Sequence, residues 1–243
     1  MSTIWIDAMD RSLVKISTQG GDRRRRITKA LRVSAITQVA ILLGALSLLG
    51  LDARTQAFAI SQGEVAAKLS YCLDCHGPSG QGYHGYFAIP RLAGQQTAYL
   101  ENQLRAFVER RRPNPIMSNV AHVLSPAMIA ALAADFRSLK PRPAADGPRE
   151  LVSSGEKIFQ EGVPDANVAA CAACHGPQAL GTGQIPRLAG QLYPYLVKEL
   201  SNWGSERGQI PSRPDSSAIM GPVAHSLSEA QVRAVAAYLS NMK

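Results

Sequence analysis

The apolar and polar positions of this 243-residue chain form one long apolar run, followed by two similar series of amphipathic stretches. The run is Val33–Leu51, nineteen mostly apolar residues behind six basic side chains between Arg23 and Arg32. Small residues at Ala57 and Ala59 follow, spaced as a signal peptidase requires. Residues 1–59 are therefore expected to be a signal peptide cleaved after Ala59. The competing reading is an N-terminal anchor, since nineteen residues can span a bilayer and would attach the protein to a membrane through residues 33–51. In both cases the basic flank stays on the cytoplasmic side and the remainder is exported. The first twenty-two residues belong to no part of this pattern.

From Ile60 onward the periodicity predicts helices. Ser61 and Glu64 have capping-box spacing, and the helix they open carries Val65, Ala66, Leu69 and Cys72 to one side. A glycine loop follows, with Tyr83, His84 and Tyr86 inside it. A second helix is predicted from Thr97 into Arg112, with Tyr99, Leu100, Leu104 and Phe107 on its buried side. An irregular stretch around Met117 then leads to Ser125 and Pro126, the N-cap and first-turn proline of a last helix striped by Ile129, Leu132, Ala133 and Phe136. Residues 141–150, with Pro141, Pro143, Gly147 and Pro148, read as a linker.

The series then recurs. Ser153 and Glu156 have the same capping spacing, and Ile185–Gln191 repeats Ile89–Gln95 without a change. Tyr195 follows it as Tyr99 follows the first copy. The block around Met117 returns around Met220, and Val232, Val235, Ala236 and Leu239 repeat the final stripe. Two domains are expected, residues 60–140 and 151–243, with their length differences confined to loops.

The chemistry sits in Cys72-Leu73-Asp74-Cys75-His76 and its counterpart Cys171-Ala172-Ala173-Cys174-His175. C-x-x-C-H is the attachment pattern of haem c. Each thiol adds to a porphyrin vinyl group, and the adjacent histidine becomes the proximal iron ligand. A redox dithiol or half of a zinc site is the alternative, but neither explains an adjacent histidine both times. The two motifs use every cysteine in the chain, so two covalently attached haem c groups are expected. Exported thiols are usually disulfides, and their pairing with histidines again favours haem. Aromatic content is only 6%, and two porphyrins would supply the missing flat apolar surface.

Charge changes this picture little. Of the net +8, residues 1–59 hold +5, and residues 60–243 only +3, which four haem propionates would cancel. There is no basic stripe interleaved with aromatics, so nucleic-acid binding is not expected. For the distal iron ligand, Met117 and Met220 occupy equivalent places eight residues before a capping serine, whereas Met128 lies in a predicted helix and Met242 at the chain end. Met117 and Met220 are therefore the expected distal ligands, as His/Met ligation is common in electron-carrier cytochromes c; His122 and His225 also repeat, so bis-histidine ligation is the competing reading. His84 has no counterpart in the second copy and reads as a solvated loop residue.

These residues together resemble the dihaem cytochromes c of the cytochrome c4 type, and are similar also to the dihaem subunit of flavocytochrome c sulfide dehydrogenases. The resemblance spans residues 60–243 and implies an all-α fold of two tandem class I cytochrome c domains packed face to face, each built round one covalent haem c. It implies that the carbonyls of Pro90 and Pro186 accept a hydrogen bond from His76 and His175. Arg91 and Arg187, next to those prolines, would then lie near haem propionates; the alternative is an arginine exposed on a turn. The extra residues in the first glycine loop, and His122 and His225, depart from the family pattern.

Three functions are compatible with these residues. The first is a periplasmic carrier of single electrons between a respiratory donor and acceptor, with a respiratory complex, terminal oxidase or dehydrogenase as redox partner. The second is an electron-accepting subunit docked on a periplasmic dehydrogenase such as a flavocytochrome c. The third is a haem enzyme, against which two axial ligands on each haem would count. Arg110, Arg111 and Arg112 read either as a docking edge for an anionic partner or as a solvated helix end.

Overall fold

The computed structural model describes residues 60–140, 142–207 and 216–243. The apolar run and its signal or anchor reading lie outside these residues. The first helix, α1 (Gln62–His76), starts on the expected capping box, in which Ser61 and Glu64 exchange side-chain and backbone hydrogen bonds. After a two-residue ribbon, β1 (Tyr83–His84) with β2 (Ala88–Ile89), come α2 (Thr97–Val108), α3 (Pro115–Ala121) and α4 (Pro126–Ser138). Leu100, Ala133 and Phe136 form the centre of this half, with Leu69, Cys72 and Leu73 of α1 packed against them. Leu124, Ile129 and Leu132 extend it toward Leu104 and Met128.

The second half begins with a 3-10 turn at Arg149–Leu151 that runs straight into α5 (Val152–Glu161). It continues with α6 (Ala172–His175), α7 (Tyr193–Ser201), α8 (Trp203–Glu206), α9 (Ser217–Ser226) and α10 (Glu229–Asn241). Phe159, Leu196, Val235, Ala236 and Leu239 make its core, and half-buried Cys171 and Ala172 pack onto it. The all-α expectation holds apart from the two-residue ribbon.

Four local expectations differ from the structure. α2 stops at Val108, because Arg110 takes a left-handed φ of 57° that a helix cannot continue through. Met117 and Met220 lie on helices α3 and α9 instead of in irregular chain; Asn114 caps α3 by accepting from the Met117 N–H, with Pro115 in the first turn. Ser153 and Glu156 form no capping box, since the 3-10 turn already supplies the start of α5. Finally, residues 144–147 of the linker are bound to the second half. Ala144 and Ala145 donate to Gly190 and Ser240 carbonyls, Gly147 donates to Ser240 Oγ, and Asp146 accepts from the Tyr193 N–H at the start of α7.

Candidate functional site

Both C-x-x-C-H motifs end on a buried histidine at the last position of a helix, α1 for His76 and the single turn α6 for His175. Cys75 and Cys174 are exposed, while Cys72 and Cys171 are half-buried against the cores. Burial raises the pKa of both half-buried thiols and so disfavours the thiolate, the wrong direction for the nucleophile of a redox dithiol. Among the described residues no group of three or more His, Cys, Asp and Glu side chains could hold a metal, so the two pairs build no zinc site.

Each histidine faces a proline carbonyl: His76 Nδ1 lies 2.9 Å from Pro90 O, and His175 Nδ1 lies 3.0 Å from Pro186 O. A carbonyl only accepts, so Nδ1 carries the proton and Nε2 keeps its lone pair. Burial lowers the pKa of both rings, against a smaller opposing pull from the carbonyl, and keeps them neutral. A neutral imidazole with a fixed tautomer is what an iron ligand requires. The proline strands are held in place by matching contacts. Gly82 N–H donates to His76 O and Gly181 N–H to His175 O, while Leu92 and Ala93, like Leu188 and Ala189, donate to one carbonyl in the preceding loop.

The two copies of Ile-Pro-Arg-Leu-Ala-Gly-Gln meet across the interface between the halves. Gln191 Oε1 accepts from the Arg91 N–H at 2.8 Å, and Gln191 Nε2 donates to the Arg91 carbonyl at 2.9 Å. Gln95 does the same to Arg187, at 2.7 and 3.0 Å. Arg91 is only 6% exposed and Arg187 is half-buried, so neither is an exposed arginine on a turn. Arg91 Nη1 is buried without a hydrogen-bond partner. Burial first, and then the like charge of Arg187, push the Arg91 guanidinium down to about 10.

Residues 152–243 match the cytochrome c family model. A thiosulfate dehydrogenase electron acceptor of Thiomonas intermedia is 37% identical over 174 residues, covering 70% of this chain and 77% of that one. A cytochrome c4 of Thiocapsa roseopersicina is 36% identical over 175 residues, covering 70% and 86%. The solved structure of cytochrome c4 from Acidithiobacillus ferrooxidans superposes with a TM-score of 0.61 at 35% identity, covering 71% of this chain and 99% of that one. The chain belongs to the cytochrome c4 family of dihaem cytochromes c.

As a member of that family the cytochrome carries two covalently attached haem c groups and transfers electrons; it is not an enzyme. Its own residues fit the group. Four thiols and two neutral imidazoles are in place, and the Arg91 guanidinium keeps one buried donor, Nη1, without a partner, which a haem propionate could engage.

The remaining candidates separate by burial. Met117 and Met220 are half-buried on α3 and α9. His122 is exposed and turned back on its own helix, with Nδ1 2.8 Å from Asn119 O. His225 is exposed and lines a cleft of about 710 Å³ between α7, α9 and α10, to which neither His175 nor Met220 contributes. His84 is exposed, 3.5 Å from Asp146.

The arginine cluster of the cytochrome overturns both sequence readings. Arg111 is 7% exposed and paired with Glu109 at 2.7 Å, and Arg112 is half-buried in the interface. Arg112 donates to Glu199 at 2.8 Å and to Tyr195 OH at 2.9 Å, while Arg207 reaches Glu199, Gln103 and Tyr99. Only Arg110 of the three is exposed, which leaves no basic edge of three arginines. Sequence reasoning missed this cluster and the two glutamines. The signal was there, since Tyr99/Tyr195, Gln103/Glu199 and Gln95/Gln191 share one offset.

Proposed function

We propose that the protein is exported and carries single electrons between a respiratory donor and acceptor in the periplasm. The observation that supports this best is the duplicated, buried, neutral imidazole with its Nδ1–H fixed on a proline carbonyl, once on each side of one interface. Bound haem c supplies a one-electron ferric–ferrous couple. Cys72 with Cys75, and Cys171 with Cys174, hold it by thioethers. His76 and His175 offer Nε2 to the iron, and the proline carbonyls raise the basicity of that ligand. Met117 and Met220 would hold the iron through their thioethers, a reading favoured by their half-burial and by the exposure of His122 and His225. Iron held in this way by His76 and Met117, and by His175 and Met220, would serve electron transfer and would leave no ligand position for a substrate. Arg91 and Arg187 set their positive charges against the propionates.

The likeness to a protein named as an electron acceptor of thiosulfate dehydrogenase favours a periplasmic dehydrogenase as donor, and with it the second reading, a subunit docked on that dehydrogenase. Among the described residues no single helix is long and apolar enough to cross a membrane, so membrane attachment would fall to residues 33–51 if they are retained.

Acid–acetone extraction followed by intact mass should leave two haems on the chain, and an apo mass would end this reading. The oxidised protein should show the methionine–iron near-infrared band at an intensity for two haems. Met117→Ala should halve it and admit carbon monoxide to one haem, while His122→Ala should change neither; no such band in the wild type, with carbon monoxide admitted by His122→Ala and not by Met117→Ala, would mean bis-histidine ligation. A pull-down from the periplasmic fraction should bring down a redox partner. A stoichiometric complex with a dehydrogenase would select the docked subunit over the free carrier.

A further inference from the structure

The Pro90–Arg91 peptide unit is hydrogen-bonded at both ends. Its carbonyl accepts from His76 Nδ1 at 2.9 Å, and its N–H donates to Gln191 Oε1 of the other half at 2.8 Å. The Pro186–Arg187 unit repeats this with His175 at 3.0 Å and Gln95 at 2.7 Å. We propose that Gln191 and Gln95 are positioning residues that tune the haem of the opposite domain, each acting through one peptide unit on the proximal histidine. The proposal rests on the haem reading above and adds to it a crossed coupling between the domains.

The physical basis is amide resonance. An acceptor at a peptide N–H draws electron density toward the carbonyl oxygen, so hydrogen bonds on the two ends of one unit strengthen each other, by roughly 10–30% per bond. A more basic Pro90 oxygen pulls harder on the His76 Nδ1 proton and makes the ring a stronger donor to iron. A stronger donor favours the ferric state and lowers the reduction potential. Removing the Gln191 acceptor therefore raises the potential of the haem on His76, although Gln191 itself belongs to the other domain.

The geometry is built for a fixed acceptor. Gln191 is 7% exposed and Gln95 is 5% exposed, so water does not substitute for the pairing. Each Oε1 also accepts the N–H of the next residue in its own chain, Leu192 at 2.9 Å and Gln96 at 2.8 Å, and each Nε2 is held by the opposite arginine carbonyl. Every amide atom is thus engaged and the side chain cannot turn away. A reciprocal contact about a pseudo-two-fold axis needs the same donor and acceptor on both sides. That accounts for a heptapeptide that repeats unchanged within domains that differ elsewhere.

The test is Gln191→Met in the full two-haem protein, with Gln95→Met as its mirror. The readouts are haem-resolved redox titration and the His76 and His175 Nδ1–H proton resonances of the reduced protein. Gln191→Met should raise the potential of the His76 haem and shift the His76 proton upfield, with the His175 haem and proton nearly unmoved; Gln95→Met should give the opposite assignment. Gln191→Glu keeps an acceptor at the Arg91 N–H and should not raise the His76 haem potential, which covers the case where the methionine variants fail to fold. Equal movement of both haems would reduce the glutamines to interface mechanics and overturn the relay, as would no movement of either. Loss of haem from the wild-type protein would instead overturn the underlying reading.

Discussion

Gln103 and Glu199 occupy the same place in the two copies, and only Glu199 is charged. Both reach the same pair of arginines. Gln103 Oε1 accepts from Arg112 at 3.0 Å and closely from Arg207, while Glu199 accepts from Arg112 at 2.8 Å and from Arg207 at 2.7 Å. One carboxylate therefore holds two guanidiniums contributed by opposite domains, Arg207 buried and Arg112 half-buried. Among the described residues Glu199 is the carboxylate hydrogen-bonded to both guanidiniums, and removing its charge from a buried pair costs up to about 3–5 kcal/mol. Glu199→Gln should lower the unfolding free energy of the two-haem protein, measured by urea titration, by that order. The double variant Gln103→Glu with Glu199→Gln moves the charge to the other domain and should recover most of the loss. A double variant no more stable than Glu199→Gln would mean that Glu199 acts through shape and not through charge.

The same carboxylate sets an acid limit. Burial alone would raise the Glu199 pKa, but Arg112 and Arg207 overcome it and hold it below the usual value of 4.5. A carboxyl depressed in the folded state contributes stability that is complete above its unfolded pKa and is lost as pH falls through the folded one. Stability should therefore be flat with respect to this group above about pH 4.5 and fall below it. Glu64 of the first capping box is also lowered, by its hydrogen bonds to Ser61, so the wild-type slope contains both groups. The Glu199→Gln protein should lack its share of the acid slope, measured by urea unfolding across that range. An identical slope in both proteins would assign the acid loss elsewhere.

What the chain reveals on reading follows from how local each signal is. The C-x-x-C-H motifs, the Ser61–Glu64 box and the Ser125–Pro126 start are short-range, and the helices at α1 and α4 begin where those residues say. Ser153 and Glu156 carry the same spacing yet cap nothing, because the 3-10 turn before them had already formed the helix start. The triple arginine looked like a solvated end or a docking edge because its partners are long-range: Arg112 meets Glu199 from 87 residues away. The repeated heptapeptide was legible as duplication. That its last residue clasps the other copy's arginine required two domains facing each other, which periodicity does not encode.

Gly181 illustrates a constraint of the same kind. It adopts φ +64°, and a Cβ there would lie 2.2 Å from Ile185 O and 2.5 Å from the Pro186 carbonyl oxygen that receives His175. Gly183 adopts φ +56° with nothing within 4 Å of the same added atom. Gly183→Ala should therefore cost only the backbone strain of a left-handed residue, about 1–2 kcal/mol. Gly181→Ala should cost more and displace the proline strand, shifting the His175 Nδ1–H resonance, which Gly183→Ala should leave in place. Equal costs and unmoved resonances in both variants would mean that the strand tolerates the methyl group.

Arg91 provides the sharpest test of where the haem carboxylates lie. Its Nε donates to the Gln81 carbonyl at 3.1 Å, its Nη1 is buried with no partner, and burial together with Arg187 holds its ionisation at about 10. A buried guanidinium in that state gains from any carboxylate brought within reach, and a planar fork suits a propionate better than an ammonium does. Arg91→Gln keeps the backbone N–H and carbonyl that pair with Gln191, so the interface clasp survives the change. What it removes is one positive charge from a low-dielectric site, and ferric iron is then opposed by one charge fewer. The potential of the first-domain haem should fall, with the His76 Nδ1–H resonance nearly unchanged; Arg187→Gln should act in the same direction on the second haem. A titration in which neither potential moves would place both guanidiniums out of reach of the propionates and leave the buried Nη1 to be accounted for by other means.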